Sequence, residues 1–192
     1  MIGKMILCLL ALSCVIVLLP LHAQVAGTVP AAPNITRINP RPLPLLPAPG
    51  FAGMSRAAGM IFSGAVVRIE RGSAAPNPAV ETVSITFHVD QGIRGARAGD
   101  DITISQWLGV WSSGQRYRIG EHVFLFLYPP SKLGLTSLVA GPMGRFGVDA
   151  AGYVFLSDYH LAAFRTDPVL GGKSRLRLSD FALAVRRACE EE

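Results

Sequence analysis

The hydrophobic positions change period along the chain, and each change marks a different element. Val80 to Gln91 alternates cleanly, with Val83, Ile85, Phe87 and Val89 on one face and Ser84, Thr86, His88 and Asp90 on the other, the pattern of a half-buried strand. Met60 to Arg71 and Asp101 to Trp107 have the same β-branched and aromatic character. His122 to Tyr128 is almost continuously apolar, which predicts a strand buried on both faces. Arg145 to Val148 and Tyr153 to Leu156 form a hairpin pattern across Asp149-Ala150-Ala151-Gly152. Gly64 interrupts the first strand where a barrel strand has to bend. From Ser179 the period becomes helical: Phe181, Val185 and Cys189 recur every four residues, with Ser179 as the expected N-cap and Asp180 in the first turn. Residues 60–192 thus read as a mainly β domain of five to six strands with a C-terminal helix.

Two segments precede it. Met5 to Leu19 is an apolar run behind Lys4, followed by Pro20-Leu21-His22-Ala23 and then Gln24. A basic start, a short apolar stretch and a small residue before a polar one predict a secretory signal over 1–23, with membrane attachment only if that segment stays uncleaved. Residues 24–59 carry prolines at 30, 33, 40, 42, 44, 47 and 49 and read as an extended proline-rich tether. Export predicts a secreted, periplasmic or cell-envelope location.

Composition narrows the class. Half of the 192 residues are hydrophobic and 16% are charged, which excludes a disordered solvating chain. Three cysteines are too few for a disulfide scaffold, and cleavage after Ala23 would leave Cys189 alone, read as an apolar helix residue. The formal charge of +5, or +4 without Lys4, suits an envelope setting and is too weak to imply nucleic acid.

The order Ile61 to Val67, then Val83 to Gly95, then Tyr117 to Leu127 resembles the netrin-like, tissue-inhibitor-of-metalloproteinases-like OB barrel, whose cues are F-x-G-x-V, then V-x-F-x-V with a basic residue and Gly, then Y-x-x-G-E before an apolar strand. The match spans about 61–148. It is similar also to exported bacterial proteins that carry the loop Tyr128 to Ser137. The resemblance implies that the domain is a small OB-like β-barrel of five to six strands with a C-terminal helix, and a binding module. Inhibition through a zinc-chelating N-terminal cysteine does not carry over, because Gln24 is the expected mature terminus and no cysteine pairs remain.

Chemistry is sparse. His88, His122 and His160 follow no metal-ligand spacing, and no cofactor or metal is expected. Ser112 or Ser113 could be set beside His88 and Asp90, the basis of a hydrolase alternative, but the spacing matches no nucleophile motif. Gly171-Gly172-Lys173-Ser174 lacks the upstream glycine of a phosphate loop and reads as a turn. Two features point to binding. Trp107 and Trp111, four apart around Gly109, would lie on one side of an extended segment. The proline-stiffened loop that follows the fourth strand offers Pro130, Lys132 and Leu133. The expected function is an exported, non-enzymatic module that binds a protein, such as a protease or envelope component. The alternative is an oligosaccharide or cell-wall-polymer binder using the tryptophans as a stacking platform.

Overall fold

The computed structural model describes residues 50–74, 79–112 and 115–190. The expected signal and most of the expected tether lie outside the described residues.

The elements run α1 (Phe51–Ala57), β1 (Met60–Ser73), β2 (Glu81–Arg94), β3 (Asp101–Trp107), α2 (Leu108–Ser112), β4 (His122–Leu127), a 3-10 turn (Gly141–Gly144), β5 (Arg145–Val148), β6 (Tyr153–Phe155), α3 (Asp158–Ala163), β7 (Arg175–Arg177) and α4 (Leu178–Glu190). All neighbouring strands are antiparallel, in the order β3-β2-β1-β4-β5-β6-β7.

The expected five-to-six-strand OB-like barrel is corrected to a seven-stranded open sheet. A barrel closes when its outer strands pair. Here β4 passes its free side to β5, and β6 and β7 extend the sheet beyond it, leaving β3 and β7 as edges. One isolated bridge, Ser105 to Leu135, ties the loop after β4 back to β3.

The β4 expectation holds for Val123 to Leu127, all buried, while the expected end residues His122 and Tyr128 are exposed. Alternation sends Phe124 and Phe126 into one cluster and Val123, Leu125 and Leu127 into another. The first cluster includes Phe51, Met54, Phe146, Phe164 and Phe181, so α1 and α4 cover that side. The second is formed by Phe62, Val66, the inward face of β2, Ile104, Tyr117 and Leu138. Gly64 sits at a register shift between β1 and β2, where a β-carbon would meet the His88 carbonyl oxygen at 2.4 Å.

The last ten residues of the expected tether belong to this domain. Phe51 and Met54 are fully enclosed, and the Arg94 guanidinium donates to the carbonyls of Ser55 (3.0 Å) and Ala58 (3.0 Å) at the end of α1. Cations are favoured there because the last helical carbonyls lack intrahelical partners. At the other end α4 begins at Leu178, one residue before the expected cap, while Phe181 and Val185 pack inward as their spacing predicts.

Candidate binding surface

Thr103, Ser105 and Trp107 share one face of β3, and this face is laddered to β2. Thr86 meets Thr103 at 2.9 Å, Ser84 meets Ser105 at 3.1 Å and His88 meets Asp101 at 2.8 Å. Each pair is directly opposite in the strand register, so the hydroxyls satisfy one another. Trp107 ends the strand with 57% of its surface exposed.

The chain then turns into α2. Trp111 is thereby carried against the second hydrophobic cluster, with its Nε1 buried and without a hydrogen-bond partner among the described residues. The expectation that both indoles stand on one side of an extended segment is therefore corrected: Trp107 is outside and Trp111 is partly inside. Gln106 is fully buried, and neither of its amide atoms has a hydrogen-bond partner among the described residues. The neighbouring Tyr117 hydroxyl lies beside that amide, short of full hydrogen-bond geometry. Burial pushes its pKa up to about 12, against the opposing pull of Arg145 and of the Gln106 amide.

The loop after β4 is locked rather than loose. Ser131 Oγ accepts from the backbone N–H of Leu133 and of Leu135, both at 3.3 Å, and the Thr136 hydroxyl donates to the Tyr128 carbonyl at 2.6 Å. Gly134, at φ 70°, makes the reversal that a branched side chain would resist. The Thr136 N–H donates to the Ser105 carbonyl at 2.9 Å, which docks the loop against the edge of β3. Pro130, Lys132 and Leu133 face solvent, with Leu133 40% exposed. A recess of about 100 Å³ between loop and strand is lined by Thr103, Ser105, Pro130 and Thr136.

The structure thus joins the loop to the strand that carries Trp107, and leaves Trp111 as a packing residue. Tyr128, 40% exposed at the end of β4, joins the surface unforeseen, because the apolar run His122 to Tyr128 reads as buried throughout. An exposed indole, a phenol, a leucine and one cation on a stiff backbone can dock another surface at little entropic cost.

The other candidate groups have partners within the fold. His88 pairs with Asp101 and His122 Nε2 lies 3.3 Å from Asp90, so the strand neighbours His88 and Asp90 have separate partners. Ser113, one of the two serines of the hydrolase alternative, lies outside the described residues. His160 is buried, stacked on Phe146 at 4.2 Å, with Nε2 near the Met143 carbonyl at 3.2 Å and Nδ1 near Ser157 Oγ at 2.9 Å. Burial pushes its pKa down. Together with Ser157 it forms the capping box of α3. Gly171 and Gly172 form a turn, and the Lys173 ammonium donates to the Val169 carbonyl at 2.9 Å. Among the described residues no three metal-ligating side chains converge.

No protein-family model matches the chain, and no curated protein matches it.

Proposed function

We propose that the protein is an exported, non-enzymatic interaction module that docks a protein of the secreted or envelope compartment through Trp107 and the loop residues Pro130, Lys132 and Leu133. The observation that carries this reading is the exposure of Trp107 at the end of an edge strand to which that loop is hydrogen-bonded. Indoles are enriched at the energetic centres of protein interfaces, and a pre-ordered loop loses little entropy on association. The resemblance to netrin-like domains and the apolar N-terminal segment support export and binding. Trp111 packs inward, so a two-indole platform for sugar stacking has less support than a protein contact.

The test is a paired capture from the secreted and envelope fraction of the source, using the full chain and its Trp107→Ala/Leu133→Asp variant as baits. One stoichiometric protein retained by the first and lost by the second is the expected result. The same proteins on both baits would defeat the proposal. No protein on either, with wild-type binding on a polysaccharide array, would replace it with the glycan reading.

A further inference from the structure

In the segment before β4, Tyr117 is buried while Arg116 and Arg118 on either side of it are exposed. Both arginines line the same hollow, with Tyr117 between them in the chain. The segment itself is pinned. The Arg118 N–H donates to Glu121 Oε2 at 3.1 Å, the Gly120 N–H to the Val66 carbonyl at 2.8 Å, and the Val66 N–H to the Glu121 carbonyl at 2.9 Å.

A third cation lines the same hollow and is held in place. Arg145 is ion-paired with Glu121, donates to the Arg116 carbonyl at 2.9 Å and lies over the Tyr117 ring at 4.5 Å from its centre. Arg116, Tyr117, Arg118, Glu121 and Arg145 together line an open hollow of about 590 Å³. Glu121 is the only acid in that lining, and it is engaged by Arg145 and by the Arg118 backbone. The hollow keeps an excess of two positive charges. Arg116 uses Nε on the Trp111 carbonyl at 3.2 Å, which orients its fork and leaves the terminal nitrogens to other partners. Arginine forks in a fixed array match the oxygens of a tetrahedral oxyanion, and each charge-assisted bond is stronger than a neutral one.

We infer that Arg116, Arg118 and Arg145 form a subsite for a phosphate-class oxyanion, carried either by a soluble phosphate compound or by a lipid headgroup. The subsite is independent of the Trp107 surface, and its success or failure leaves the docking proposal standing on its own test.

The experiment is calorimetric titration of the full chain with inorganic pyrophosphate at low ionic strength, together with flotation on phosphatidylglycerol and on phosphatidylcholine vesicles. Pyrophosphate binding, weakened at least about 10-fold by Arg116→Ala/Arg118→Ala and weakened less by Arg116→Lys/Arg118→Lys, is the expected result for a soluble ligand. Flotation on phosphatidylglycerol alone, abolished by the same alanine pair, assigns the oxyanion to a lipid headgroup. Arg68→Ala/Arg71→Ala removes the same charge elsewhere on the surface, from exposed positions of β1. Equal weakening by that pair would reduce the effect to net charge and overturn the subsite. So would the absence of binding to pyrophosphate and to both vesicles, or binding that the Arg116/Arg118 alanine variant keeps. Circular dichroism of each variant verifies that the fold is intact.

Discussion

The Trp107 indole lies across the backbone of Gly109, so closely that a β-carbon added there would stand 2.4 Å from the ring. Gly109 is thus what lets the exposed indole rest on the first turn of α2. Alanine is the better helix former by about 1 kcal/mol, so helix propensity alone would make Gly109→Ala stabilising. The ring is half solvent-exposed and can swing away, so the expected outcome is an unchanged or slightly raised melting temperature with an altered near-UV circular dichroism signal. A loss of partner capture comparable to that of Trp107→Ala should accompany it. An unchanged aromatic signal would show that the indole does not rest there in solution.

Phe51 tests where the domain begins. Its ring makes edge contacts with Phe126, Phe164 and Phe181 at centroid distances of 6.2, 6.3 and 5.6 Å. Truncating a fully buried phenylalanine removes its transfer energy and leaves a cavity, so Phe51→Ala should lower stability by about 3–5 kcal/mol in urea denaturation. A change below about 1 kcal/mol would mean that the proline-rich tether extends through residue 59 as its composition suggests.

Gly64 and Gly72 lie on the same strand and should respond oppositely. A β-carbon at Gly64 meets the His88 carbonyl oxygen at 2.4 Å, and both sides of that clash are backbone. At Gly72 the nearest atom is the Thr82 hydroxyl at 3.7 Å. Gly64→Ala should therefore cost about 1–3 kcal/mol, as overpacking does. Gly72→Ala should stay within about 0.5 kcal/mol of wild type. Chemical denaturation of the two variants side by side decides the matter.

His160 gives the fold a pH dependence. Burial lowers its pKa from the ordinary 6.5, against the raising effect of the Met143 and Pro142 carbonyls. The folded state thus favours the neutral ring, and the unfolded chain binds its proton first as pH falls. The stability His160 contributes is complete above the unfolded value and is lost as pH drops through the folded one. Urea midpoints should fall between about pH 7.5 and pH 5, and the slope should be shallower in His160→Phe, which keeps the stack on Phe146 and removes the titration. Parallel slopes would remove His160 from the account.

What the sequence discloses depends on how local the cause is. β2, β3 and the inward face of α4 were readable because alternation and four-residue spacing are properties of the segment itself, carried by Val83, Ile85, Phe87 and by Phe181 and Val185. β7 was not, since Arg175-Leu176-Arg177 is a strand only by virtue of Tyr153 to Phe155 beside it. Nor was α1, whose FAGMSRA contains Gly53 and starts behind Gly50, which offers no capping side chain, and whose helix is held by Arg94 and by rings far along the chain. The barrel expectation failed for the same reason, because pairing between distant strands leaves no local mark. At the surface, the exposure of Pro130, Lys132 and Leu133 followed from prolines and polar neighbours. The inward turn of Trp111 did not, because a five-residue helix after a strand is decided by the packing it finds.

The packing of Phe51 on Phe181 joins the first described element to the last, and Arg94 ties the same end to β2. Tension arriving through residue 50 would consequently be borne first by the seam between α1 and α4 and by the Arg94 tie, and only afterwards by the sheet.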